Sequence, residues 1–289
     1  MTPELVLDAR AQLGEGPIWD AGRSRLLFVD IMRGQVHEFD PETGHDRVIE
    51  VDRPVGAIAP TIRGDWVIAA RDGFFRVDPD TGATSLIAHI EKDDPETRMN
   101  DGYVDARGRF WAGTMGMGGV RERGSLYRLD PDGQVTRHLA GVDISNGIDW
   151  SPDGRLMYYA DTGAGRVDVF DFDEPRGVIS HRRPFLVVPE DQGYPDGLIV
   201  DADGCIWLAL WEGRAVRRYR PDGALDAVVS LPVSLVTKCA FGGPDLTDLY
   251  ITTAWIELDA AGRTREPLAG GLFRVRPGVS GRPVRKYAG

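Results

Sequence analysis

Residues 106–114 read ARGRFWAGT, a polar turn feeding a short strand of aromatic and small residues. The same design returns along the chain as GRSRLLFVD at 22–30, IRGDWVIAA at 62–70, PDGRLMYYADT at 152–162, ADGCIWLAL at 202–210 and PDLTDLYITT at 244–253. Aligned on Phe28, Val67, Trp111, Tyr159, Trp207 and Tyr250, the copies stand 39, 44, 48, 48 and 43 residues apart. Most are followed by a second turn and a second strand with period-two alternation, as in GSLYRLDPDG and GRVDVFDFDEP. A unit of about 45 residues with several strands and no amphipathic helix, repeated six times, predicts an all-β fold, a six-bladed β-propeller. A sandwich or barrel would show closer strand spacing and no such long-period echo. ELVLDA at 4–9 reads as one more strand, placed to complete the last blade beside GGLFRVR and close the ring, which removes most exposed sheet edges. The expectation is a single domain over 1–289.

Composition narrows the partners. Apolar residues at 42% and charged residues at 27% are those of a globular protein with a sizeable core. The 36 Gly and 19 Pro fall in short turn clusters and not in one low-complexity tract, which suits many short strands. A net charge of −11 argues against nucleic acid and anionic lipid, both of which require clustered Lys and Arg. No basic segment followed by an apolar one opens the chain, and no run approaches the roughly 20 apolar residues that span a bilayer. The expected setting is cytoplasmic, with no membrane partner. Cys205 and Cys239 are too few for a disulfide framework and read as reduced, buried thiols.

In a propeller the innermost strands line a central channel, so equivalent positions converge on one axis. Counting back 13 residues from Phe28 gives Glu15, 11 from Trp111 gives Asn100, 13 from Tyr159 gives Asn146 and 11 from Trp207 gives Asp196. Each precedes Gly within two positions, in GEGPIW, NDGYVD, SNGIDW and PDGLIV. The remaining two blades carry small or mostly apolar residues there, around Val55–Ala57 and Thr237–Cys239. Asn, Asp and Gly alone read equally well as turn residues bonded to their own backbone. Glu15 does not, because Glu is a poor turn former. Oxygen donors without His or Cys suit a hard cation, and two carboxylates with amides leave coordination positions for water and substrate.

These residues sit in motifs that resemble the SMP-30/gluconolactonase (regucalcin) family: LGEGPIW at 13–19, RMNDGYVDARGRFWAGTM at 98–115, VDISNGIDWSPDG at 142–154, YPDGLIVDADGCIW at 194–207, CAFGGPDLTDLYITTA at 239–254 and AGGLFRV at 269–275. The resemblance covers nearly the whole chain. It implies that Glu15, Asn146 and Asp196 hold one divalent cation, which in the family is Ca²⁺, Zn²⁺, Mn²⁺, Mg²⁺ or Fe²⁺. It further implies that Asp196 is the proton donor and acceptor, that Arg98 and Asn100 contact substrate, and that the reaction is hydrolysis of a small-molecule sugar lactone by a monomer or weak homo-oligomer. Animal members carry an acidic substrate contact shortly after Gly-Thr-Met. This chain continues GTMGMGGVRERG, so no acid is carried over there and gluconolactone is not implied as the particular substrate.

Two other functions suit the same scaffold, a Ca²⁺-dependent phosphotriesterase and a calcium-binding propeller without turnover. Trp211, Tyr103, Tyr194 and Met115 are candidate pocket walls, Asp149 a structural acid at a strand end, and Asp101 a turn former. Asp201–Gly204 (DADG) starts like an EF-hand loop but has Cys205 at the fifth position and reads as a hairpin turn. His37, His45, His89, His138 and His181 fall on the outer parts of the repeats and are expected at the solvated surface.

Overall fold

The computed structural model describes residues 1–289 as six four-stranded antiparallel sheets. Their innermost strands are Gly14–Asp20, Val55–Pro60, Thr97–Val104, Ser145–Trp150, Tyr194–Val200 and Val236–Gly242, and each neighbours the next repeat's innermost strand, giving a six-bladed β-propeller. Five blades are built from consecutive strands. The sixth takes Glu4–Leu7 as its outermost strand, antiparallel to Leu272–Val275, so the start of the chain closes the ring as its sequence suggests.

The repeat is visible because packing between blades demands the same residue types each time. Phe28, Val67, Trp111, Tyr159, Trp207 and Tyr250 lie on the second strands of the six blades, with Trp66 beside Val67, and all are fully buried. Three of the indoles donate to an acid at the end of a first strand or just beyond it: Trp66 to Asp20, Trp111 to Asp105 at 2.9 Å and Trp207 to Asp201 at 2.9 Å. A buried indole N–H left without an acceptor would cost its desolvation, which ties each Trp to its Asp. The fourth strands, such as Val178–Val187, are largely exposed.

Beyond Val275 the tail runs across one end of the propeller. Ala202 donates to Ser280, Arg282 forks onto Asp149 at 2.7 Å, Tyr287 donates to Pro60 and Ala288 to Gly108, so four blades are tied together. Asp149 is the structural acid expected: it also accepts from the N–H groups of Trp150 and Val200. One helix, Ala260–Arg265, interrupts the all-β pattern, capped by Asp259, which accepts from the Gly262 N–H. No helix is long and apolar enough to cross a membrane.

Two expectations need correction. NDG, SNG and PDG are not turns. They lie inside the strands Thr97–Val104, Ser145–Trp150 and Tyr194–Val200. Their glycines have no positive φ and serve close approach instead. A Cβ on Gly147 would stand 2.4 Å from the Leu198 nitrogen, and one on Gly197 2.3 Å from Cγ of Lys238. Among the histidines, His45, His89 and His181 are exposed, but His37 is buried, stacked on Phe28 at 4.3 Å, and His138 lies part-buried on Trp111 at 4.5 Å. A third- or fourth-strand position does not guarantee solvent when the ring can cover an aromatic of the second strand. The DADG segment is the hairpin turn expected, with Asp201 accepting from the N–H groups of Asp203 and Cys205. Both cysteines are buried and unpaired.

Candidate active site

All six innermost strands break register against their neighbours at matching places: Glu15/Ile18, Val55/Ala57, Met99/Gly102, Ser145/Ile148, Pro195/Leu198 and Val236/Lys238. A β-bulge leaves residues unpaired and re-aims their side chains. Here the breaks leave Asn100, Asn146 and Asp196 unpaired and adjoin the paired Glu15, and all four face the channel at the end opposite the C-terminal tail. They share a cavity of about 190 Å³ with Arg98, Thr162, Leu13, Met32, Met115, Ile144, Trp211, Ile256 and Glu257. Every residue assigned from sequence to the metal or the substrate is in it. Of the four suggested walls, Trp211 and Met115 line it; Tyr194 does not, and Tyr103 lies elsewhere in the channel beside Lys238.

Hydrogen bonds fix how these side chains present themselves. Thr162 has one hydroxyl proton, donated to the Pro195 carbonyl at 2.7 Å, so it must accept from Asn146, whose Nδ2 lies 3.0 Å away. That orients the amide and leaves Asn146 Oδ1 buried with no partner. Asn100 donates to the Ser145 carbonyl at 2.8 Å and accepts from Arg98 at 2.7 Å. Arg98 also donates to the Met99 carbonyl through the same nitrogen, which keeps the rest of its fork for the cavity.

Sequence reading missed Lys238. It lies in a mostly apolar strand, yet its ammonium is buried in the channel and ion-paired with Asp101. Asp101, expected only to bond its own turn, does accept from the Gly102 N–H and pairs with Lys238 as well. The channel therefore holds three acids, Glu15, Asp101 and Asp196, against two cations, Arg98 and Lys238. Burial, with the crowding of charges second, perturbs these groups. Burial, then the Asp101 charge, pushes Glu15 up to about 8, and burial, then the Glu15 charge, raises Asp196 well above the carboxylate range. Burial lowers Arg98 to about 10 against the pull of Glu15 and Asp196.

The family model for the SMP-30/gluconolactonase/LRE-like region matches residues 13–255. The chain belongs to the SMP-30/gluconolactonase family. Regucalcin of Xenopus laevis is 37% identical over 99% of this chain and 98% of its own. A calcium-binding regucalcin of Agrobacterium tumefaciens superposes with a TM-score of 0.94 at 32% identity, covering 99% of this chain and 97% of the other. A gluconolactonase of Xanthomonas campestris superposes at 0.75 with 25% identity, covering 93% and 87%. As a member of the SMP-30/gluconolactonase family, the chain has a site whose donor set can be judged chemically. No three His, Cys, Asp or Glu side chains cluster as a metal group. What converges is two carboxylates and one amide, with a buried amide oxygen lacking a partner and an excess of buried negative charge. A hard divalent cation fits both features.

Proposed function

We propose that this protein hydrolyses a lactone to its hydroxy acid with a divalent cation held by Glu15, Asn146 and Asp196. The unpartnered Oδ1 of Asn146, fixed by Thr162 in a cavity shared with the buried carboxylates of Glu15 and Asp196, carries this reading. A bound cation would supply Lewis acidity to the lactone carbonyl and lower the pKa of a water molecule. Asp196 takes the proton as the water oxygen bonds to the carbonyl carbon. It returns that proton to the ring oxygen as the acyl C–O bond breaks, so one water is consumed and one hydroxy acid is formed. Arg98, steadied by Asn100, donates to the carbonyl oxygen or to a ring substituent while negative charge builds. Met115 and Trp211 flank the ring and exclude bulk water.

Membership of a gluconolactonase family and the Xanthomonas campestris neighbour support an aldonolactone as the test substrate. We place the enzyme in the cytoplasm as a monomer or weak homo-oligomer, with a small molecule as its partner. The test is turnover of D-glucono-, D-xylono-, L-arabino- and galactono-lactones after chelation and re-addition of Ca²⁺, Zn²⁺, Mn²⁺, Mg²⁺ or Fe²⁺ singly. Activity lost on chelation and regained with at least one cation supports the reading. Cation binding with no turnover on any lactone supports the second reading, a calcium-binding protein, which the description of the Agrobacterium tumefaciens neighbour favours.

A further inference from the structure

The cavity that holds Glu15 and Asp196 opens into a second chamber of about 470 Å³. The two share Met32, Arg98, Met115, Ile144, Ile256 and Glu257, so they form one path from solvent to the acids. The outer chamber is poor in groups that could bond sugar hydroxyls. Arg121 is tied to Asp143 at 2.8 Å and to the Gly163 carbonyl, while Asp143 also accepts from the Glu122 N–H. Arg98 is turned inward to Met99 and Asn100. Residues 116–119, GMGG, contribute three glycines and no hydrogen-bonding side chain to the wall. Glu257 stands exposed at the rim.

Apolar side chains hold the rest, and three of them face water. Met32, Met117 and Val120 are exposed by 37, 37 and 40% at this one mouth. Isolated exposed apolar residues are ordinary, but a cluster around the entrance to a cavity marks what the cavity takes. A polyhydroxylated substituent placed there would lose water and find few partners beyond Glu257 and Arg121 at the rim, whereas a hydrocarbon would gain from leaving water.

Resting on the lactonase reading above, we infer that the preferred substrate is a lactone carrying an apolar side chain, with the ring beside Asp196 and the hydrocarbon against Met32, Met117, Val120 and Ile144. The bond chemistry is unchanged: water adds to the carbonyl carbon and the ring oxygen leaves as a hydroxyl, which takes the proton. One buried methylene is worth about a fourfold change in kcat/KM, less where the chain stays partly wet.

The experiment compares δ-hexalactone, δ-octalactone and δ-decalactone, with methyl, propyl and pentyl side chains, against D-glucono-δ-lactone on the metal-loaded protein. We expect kcat/KM to rise about two- to fourfold per methylene through the alkyl series. The double variant Met117→Ser, Val120→Ser, at two exposed positions, flattens that slope. Turnover of D-glucono-δ-lactone with no rise along the alkyl series overturns this inference and leaves the lactonase reading standing. A rise that the double variant leaves intact overturns the placement of the side chain in this chamber. No turnover of any lactone overturns both readings.

Discussion

Lys238, on the innermost strand of the sixth blade, crosses the channel to bond Asp101 on the innermost strand of the third. The two stand half a turn apart around the ring, with side chains 3% and 0% exposed. The pair spans the channel and neutralises one of the three carboxylates there.

Breaking that pair leaves a buried charge alone. Lys238→Met is expected to destabilise the fold by about 3 to 5 kcal/mol, the usual cost of an uncompensated buried ion. Adding Asp101→Asn removes the stranded charge and should recover much of the loss. Urea unfolding of the four members of this double-mutant cycle measures the coupling. Equal stability of Lys238→Met and the parent would mean the contact contributes nothing.

Thr162 lines the cavity, orients the Asn146 amide and anchors itself on the Pro195 carbonyl. Thr162→Val keeps the volume and removes the acceptor, so the amide is released to turn its oxygen away. Calcium affinity by titration calorimetry should fall about 10- to 100-fold, as when a group that orients a ligand is lost. Thr162→Ser keeps the hydroxyl and should restore it. An unchanged affinity in Thr162→Val would place the amide outside the donor set.

The propeller was legible because each blade buries an aromatic from its second strand, and the need recurs with every repeat. Glu15, Asn100, Asn146 and Asp196 were legible for the same reason, since offsets of 11 or 13 residues from those aromatics, differing by one strand period, mean similar depth in the channel. Lys238 was not, because its partner lies 137 residues away and nothing local distinguishes it from the apolar strand around it. The Asp-Gly and Asn-Gly pairs misled in the opposite direction. Their glycines answer to the paired second strand at Gly102, to the next blade's backbone at Gly147 and to the Lys238 stem at Gly197, and a single strand's sequence carries no trace of that crowding. The tail that crosses the far end of the channel leaves no sequence signal either, since it has no repeat to be compared with.

Asp196 is assigned the proton transfers, and its neutral isostere tests that assignment. Asp196→Asn keeps shape and burial, so thermal unfolding should stay within a few degrees of the parent, while kcat falls by a factor of about 100 to 10,000. Calcium affinity falls too, since one charged donor is lost. Near-normal turnover on any lactone at saturating metal would remove Asp196 from the proton path.

His138 gives the fold a pH dependence remote from the site. Burial against Trp111, with Arg128 and then Arg109 as further depressing charges and Asp130 opposing them, lowers it from 6.5 to about 4. The unfolded chain therefore binds the proton more readily, and stability rises with pH across this window. The contribution of the neutral ring is complete above about pH 6.5 and is lost as pH falls toward 4. It amounts to about 1 to 2 kcal/mol once the shift is discounted for the ring's partial exposure. His138→Phe retains the stack on Trp111 and cannot titrate. Urea unfolding at pH 7 and pH 4.5 should therefore show the parent losing more stability than the variant. Equal losses in both would mean that His138 takes up its proton in the folded state as easily as in the unfolded chain.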